Sequence, residues 1–321
     1  MKVSVTLTFS ALFLAVGTVY LYFKAVRTAV PSSEIAAAPA RVPLVEGDPV
    51  EWIRIERQGD PKVITLAREG NRWMLKEPVV YEAEEPIVQG LAAALAVTTK
   101  AHPLVPEENW EAYGLEPPET KIGIRTREDR NTRTLALGAA SPAGDAVFAR
   151  WEDSREYFLL PADFSKAFER SLYSLRAKRI LRTPPASVAR FSVKMFRSEY
   201  EWVRRGEKWS WIKPATLFGK PVEEEMASDV LSHLFHLYVK DFLDGEKKSR
   251  TELGLVSSGI VIKLWGEKAV PEIVYLGREA AHLDAYYGYR EGEEGYLLAA
   301  RDNVRAFFES LEMVSLMAGK K

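Results

Sequence analysis

Arg68-Glu69-Gly70-Asn71-Arg72-Trp73 returns later in the chain as Arg204-Arg205-Gly206-Glu207-Lys208-Trp209. A proline follows each Trp at the same distance, at Pro78 and Pro214. Outward from this pair the echo continues. Tyr113-Gly114-Leu115 matches Leu253-Gly254-Leu255, and Leu137-Gly138 matches Leu276-Gly277. Ala167-Phe168 and Ser171-Leu172 match Ala306-Phe307 and Ser310-Leu311. Landmarks in one order at a nearly constant shift describe a duplicated domain. The period far exceeds the roughly 20–50 residues of stacked repeats. The shift widens by about one helical turn within the intervening helical segment, which predicts an extra turn in the second copy.

Each copy reads as strands, helix, strands, helix. Trp52 to Glu56 and Val63 to Leu66 have strand character, with a turn at Gly59 between them. Lys121 to Thr126, Thr134 to Leu137, Ala146 to Trp151 and Glu156 to Leu160 continue the pattern. Their counterparts are Ile260 to Trp265, Glu272 to Leu276, Ala285 to Tyr289 and Gly295 to Leu298. In the second copy a helix is predicted to begin near Pro221, with Val222, Met226, Val230 and Leu234 as its buried stripe. A closing helix is expected over Asp163 to Leu172, and again over Asn303 to Leu311. Gly114 and Gly254 are read as positive-φ positions, and Gly138 and Gly277 as strand ends. The prolines after Trp73 and Trp209 are read as strand stops. This order predicts an α+β fold of two tandem, mainly antiparallel modules with two helices each, over residues 48–181 and 185–321. Thr183-Pro184-Pro185 marks the join.

Before the modules, Val3 to Phe23 carries no charged side chain. As a helix it would be about 31 Å long, which matches a bilayer core. Tyr20 and Tyr22, then Lys24 and Arg27, provide an aromatic belt and basic anchors. Residues 1–30 therefore read as an N-terminal transmembrane anchor. A cleaved signal peptide is the competing reading, but its apolar region is shorter, about 7–15 residues. Lys2 on one side and Lys24 and Arg27 on the other leave orientation nearly balanced. Residues 31–47, with Pro31, Pro39 and Pro43, read as an extended linker.

Composition narrows the function classes. The chain has 321 residues, 47% hydrophobic residues and a formal net charge of -1. No basic excess points to nucleic acid. Cysteine is absent, which excludes disulfides, thiolate metal sites, cysteine nucleophiles and lipidated cysteine anchors.

Four constellations merit weighing. His233 and His236 stand three apart on a helix, as two metal ligands can, but the first copy has Ala93 and Ala96 there. Ser210-x-x-Lys213 matches one element of a serine–lysine acylase pattern whose other elements are missing. Glu223, Glu224, Glu225 and Asp229 complement the positive end of a helix dipole. Trp202, Trp209, Trp211, Tyr286, Tyr287 and Tyr289 are candidates for a glycan or peptide platform, although aromatic residues in strands mostly serve the core. No catalytic, cofactor-binding or metal-ligating residue is assigned, no cofactor is expected, and the chain reads as a non-enzyme.

The chain resembles the bacterial family known as domain of unknown function 4340. The resemblance lies in the N-terminal apolar helix, Asp48-Pro49-Val50 before the first strand, the Gly70-x-x-Trp73-x-x-x-x-Pro78 element, and Tyr113-Gly114-Leu115-Glu116-Pro117-Pro118. The second copy departs from it around Gly254, where the tyrosine and both prolines are missing. The resemblance implies a partner role beside ABC-type transporter components of the gliding-motility kind, and transfers no catalytic residue. The expectation is a single-pass bacterial inner-membrane protein, held through residues 3–23, with a periplasmic tandem module. It would act as an accessory or scaffold subunit of an envelope complex. The alternative is a periplasmic binding module for glycan, peptide or lipid that uses Tyr286 to Tyr289. A hydrolase with a site of scattered residues is a third class. The docking surface is expected at Thr183 to Pro185 and in the groove between modules.

Overall fold

The computed structural model describes residues 44–45, 49–99, 101–104, 110–153, 157–195, 198–256, 259–266 and 270–320. The expected anchor at residues 3–23 and most of the linker at 31–47 lie outside them. Leu44, assigned to the linker, is buried, and its N–H donates to the Thr98 carbonyl at 3.0 Å. Among the described residues no helix is long and apolar enough to cross a membrane.

The architecture is α+β, with two nine-stranded sheets. The first contains β1 (Val50–Arg57), β2 (Val63–Glu69), β3 (Arg72–Glu77), β4 (Tyr81–Glu82), β5 (Ala101–Leu104), β6 (Thr120–Thr126), β7 (Arg133–Ala140), β8 (Ala146–Trp151) and β9 (Tyr157–Pro161). Its order is β4-β3-β2-β1-β6-β7-β8-β9-β5. The second contains β10 (Arg190–Met195), β11 (Ser198–Arg205), β12 (Lys208–Lys213), β13 (Pro221–Val222), β14 (Val239–Leu243), β15 (Ile260–Trp265), β16 (Glu272–Ala280), β17 (Ala285–Arg290) and β18 (Tyr296–Ala300). Its order, β13-β12-β11-β10-β15-β16-β17-β18-β14, repeats the first strand for strand. Every pairing with a defined register is antiparallel, including β1 with β6 and β10 with β15.

The helices are α1 (Glu85–Val97), α2 (Ala162–Ala167), α3 (Leu172–Leu175), α4 (Glu224–Phe235) and α5 (Arg301–Lys320). Three helical expectations are corrected. The closing helix of the first copy is broken into α2 and α3, because the Ser171 hydroxyl accepts from Ser174 N–H and starts a new turn. Pro221 and Val222 form β13, so α4 begins only after Glu223. The second copy gains no helical turn; its extra residues form a 3₁₀ turn, Ala215–Leu217, ahead of β13.

The chain divides into two compact units. One comprises the residues up to Thr65 with Gly90–Glu169; the other comprises Leu66–Gln89 with Arg170–Lys321. This differs from a cut at the Thr183 join, since β3 and β4 belong by packing to the larger unit. Its core shows the alternation that a half-buried sheet demands: Phe191 and Val193 of β10, Ile262 and Leu264 of β15, and Val274 and Leu276 of β16 are buried. Val230 and Leu234 of α4, and Val304, Phe307 and Leu311 of α5, pack into the same core at helical spacing.

Candidate functional site

In the larger unit a half-open groove of about 1010 Å³ lies along α5, at the ends of β10 and β15. Met195, Ile260, Val256 and Phe308 give it an apolar lining; Arg278 and Glu312 stand at its rim. One wall is the turn carrying Leu253-Gly254-Leu255. Ser249 and Glu252 start this turn with a capping box. The Glu252 carboxylate accepts from Ser249 N–H at 2.8 Å and from its hydroxyl at 2.7 Å, and Glu252 N–H returns to Ser249 Oγ at 3.3 Å. The Ser249 N–H, then its hydroxyl, hold the Glu252 pKa below the ordinary carboxylate range.

The turn closes at Gly254, whose φ is 74°. It then presses onto β16 so tightly that a Cβ at Gly277 would stand 2.1 Å from the Leu253 carbonyl oxygen. Gly277 therefore does not end its strand, as the sequence reading had it. It lies inside β16, where the pairing with β17 shifts register between Leu276 and Glu279. That bulge turns Arg278 and Glu279 outward. Glu279 is held by Arg301 and Arg305, each at 3.3 Å, and Arg305 also bonds Tyr286. The first sheet has the same device: Gly114 has φ 64°, and a Cβ at Gly138, inside β7, would meet the Tyr113 carbonyl oxygen at 2.2 Å. There Arg57 donates to the Phe168 carbonyl at 3.0 Å. Met195 is its counterpart in the repeat, and in the second copy the helix runs on.

The candidates named from sequence do not converge. His233 and His236 direct Nδ1 at carbonyls of their own helix, Asp229 at 3.0 Å and Ser232 at 2.6 Å. Among the described residues no three or more His, Asp or Glu side chains form a metal-holding group. Ser210 and Lys213 have odd spacing on β12 and so face opposite sides. Lys213 pairs with Glu199 at 2.8 Å, and this bond, reinforced by Glu201, holds its pKa above the usual lysine value. A base must lose that proton. Glu223, Glu224 and Glu225 are exposed at the start of α4, and Asp229 lies 3.6 Å from His233. Trp202, Trp209 and Trp211 are buried, with Trp202 and Trp211 edge-to-face at 5.1 Å. Tyr289 is buried in the cluster beneath Leu253 and Leu255, so of the supposed platform only Tyr286 lines the groove.

Residues 73–257 match the family described as Domain of unknown function (DUF4340). The chain belongs to this family. No curated protein and no solved structure matches the chain. The family match includes the Gly254 turn and ends before β16 and α5, so it covers one wall of the groove and not the other.

A cluster that the sequence reading missed begins within the DUF4340 match. The Arg176 guanidinium lies against an edge-to-face pair of rings, 4.3 Å from Tyr81 and 3.6 Å from Phe242, and donates to Asp244 at 2.6 and 2.8 Å. Arg182 forms ion pairs with Glu82 at 2.9 Å and Glu293 at 2.5 Å. Arg290, 5% exposed, donates to the carbonyls of Arg179 and Ile180 and to Glu293. Burial works against its charge; Tyr81, Glu293 and Glu272 more than offset it, so its pKa stands above the ordinary arginine value. Glu272 accepts from the Arg182 and Thr183 N–H groups and from the Thr183 hydroxyl, between 2.8 and 3.0 Å. Arg176 Nε and Arg182 Nη2 are buried without a hydrogen bond, but the carboxylates are paired within the cluster, which reads as a fastening of the Arg179–Thr183 segment. Only the Arg290–Glu293 spacing was visible locally; the other partners are distant in sequence.

Proposed function

We propose that the protein is a membrane-tethered accessory or scaffold subunit of an envelope complex associated with an ABC-type transporter, its globular part on the periplasmic side and without turnover of its own. The uncharged stretch from Val3 to Phe23 supports the tether, and the family resemblance supports the transporter association. Two sheets of identical strand order support an origin by duplication. One observation carries the reading. The larger unit offers binding surface, in the groove beside α5 and in exposed apolar side chains at the end of that helix. Meanwhile the charged clusters found are paired internally. Affinity purification of the full-length protein from native membranes tests it. Stoichiometric transporter subunits in the eluate are expected; a monodisperse monomer with none counts against it.

The groove itself favours a second reading, a binding module for a peptide, glycan or lipid. Its volume and apolar lining with a few polar groups are those of a ligand site. Ligand co-purifying with a subunit-free monomer would favour this reading over the first.

A further inference from the structure

We propose that the outward face of the last turns of α5 is the docking surface for a basic amphipathic α-helix of a partner protein. This rests on the accessory-subunit reading and names the surface and the partner's chemistry. Met313, Leu316 and Met317 are 61%, 67% and 46% exposed. Their spacings of three and four residues place them on one helix face, away from Val304, Phe307, Leu311 and Val314 in the core. Lys220 Nζ donates to the Ala318 carbonyl at 3.1 Å. That bond brings Phe218, 70% exposed, to the same end of the helix. Exposed large apolar side chains thus gather here, whereas the join at Thr183 to Pro185 has none. Methionine suits such a surface because its unbranched, polarizable side chain adapts to a partner.

Charge selects the occupant. Glu309 and Glu312 are exposed one turn before Met313 and Leu316. Glu223, Glu224 and Glu225 follow Lys220 closely and are exposed as well. The basic residues nearby in sequence are Lys220, Lys320 and Lys321, with Lys213 and Arg305 already paired to Glu199 and Glu279. An apolar stripe in an acidic surround fits a helix with an apolar face and lysine or arginine flanks. A second copy would set the carboxylates against one another, and an anionic lipid surface would be repelled by them. The uncharged Val3–Phe23 segment would leave them unmatched.

The test uses the full chain in nanodiscs of neutral lipid, with empty nanodiscs as blank. The probes are a labelled Leu/Lys amphipathic peptide of about 18 residues, five turns, a scrambled peptide of the same composition, and a Leu/Glu counterpart. Saturable anisotropy is expected with the Leu/Lys helix alone, weakened at least about tenfold by Leu316→Asp and by the double variant Glu224→Lys, Glu225→Lys. Because the chain has no cysteine, Met313→Cys should form a disulfide with a cysteine on the peptide's apolar face, and Val80→Cys should not. Equal binding of the scrambled peptide, indifference to Leu316→Asp, preferential binding to anionic vesicles, or a dimer abolished by Leu316→Asp would overturn the proposal. Circular dichroism confirms that the exposed substitutions leave the fold intact. If transporter subunits co-purify equally with wild type and Leu316→Asp, the accessory reading stands and this surface falls. If the peptide binds as expected but no subunit co-purifies with wild type, the accessory reading falls instead.

Discussion

Gly277 and Gly138 show how much one missing side chain decides. Each lies inside a strand, and each is pressed by a backbone carbonyl that no rotamer change can move. Gly277→Ala and Gly138→Ala should each destabilise the protein by about 1–3 kcal/mol, the range for forced overpacking. Gly90→Ala, in α1 with open space around it, should be neutral or slightly stabilising. Urea midpoints at unchanged slope would check this, and equal effects at all three positions would refute it. The glycines were legible in the sequence as repeated landmarks, but their role was not. A strand-ending glycine and a glycine under a distant carbonyl look alike until the turn is seen to fold back. Glu252 sets a pH dependence on the same turn. Its folded pKa is lowered, so its contribution is present above the ordinary carboxylate range and is lost as pH falls through the lowered value. The protection factor of the Ser249 amide, taken relative to its intrinsic exchange rate, should therefore fall on acidification across that window. In Glu252→Gln the acid-dependent step should vanish; its persistence would mean that another group governs the turn.

At the level of elements, the two sheets solve one pairing problem with exchanged residues. Across β1 and β6, Trp52 stands opposite Arg125, whose guanidinium lies 4.1 Å from the indole centre. Across β10 and β15, Arg190 stands opposite Trp265, at 4.5 Å. The pair is kept and its members have traded strands. Cross-strand neighbours on an antiparallel sheet interact as a unit, so the stacked cation and indole matter more than which strand supplies each. Trp52→Arg and Arg125→Trp should each cost about 1 kcal/mol alone, and the double exchange should recover most of it, with a coupling of about 0.5–1 kcal/mol. Strictly additive losses in a double-mutant cycle would show the correspondence to be incidental. Alternation made most strands readable: Ala146 to Trp151 and Ile260 to Trp265 match the observed bounds. β5 and β14 escaped notice because edge strands after a helix carry little periodic signal; β5 is only Ala101–Leu104 and contains Pro103. The groove was illegible for a different reason. Its lining gathers Met195, Val256, Ile260, Arg278 and Phe308, which are distant from one another in sequence.

For the whole molecule, sequence and packing divide the chain differently. Composition places the join at Thr183 to Pro185, yet Leu66–Gln89 belongs with Arg170–Lys321. Backbone bonds join Glu84 to Leu175 and Ala177 to Glu82, and beside them stands the arginine cluster, whose Tyr81 ring comes from β4 and whose carbonyl acceptors come from Arg179 and Ile180. A fragment of residues 185–321 keeps Arg290, Glu272 and Glu293 but loses Tyr81, both acceptor carbonyls and the donors at Arg182 and Thr183. In the full chain the Arg290 cation is buried, and removing it takes the counter-charge from Glu272 and leaves Glu293 with Arg182 alone. Arg290→Met should then cost about 3–5 kcal/mol, as for breaking a buried pair. In the fragment the same groups meet water, and the remaining ion pair is worth about 0–1 kcal/mol. The substitution should therefore be severe in the full chain and nearly silent in 185–321, a contrast visible in paired urea titrations. Equal costs in both would mean that residues 66–89 and 170–184 contribute nothing to the site, and that the boundary at the join is the true one. A large cost confined to the full chain would show that residues 66–89 and 170–184 complete the buried charge of the second repeat.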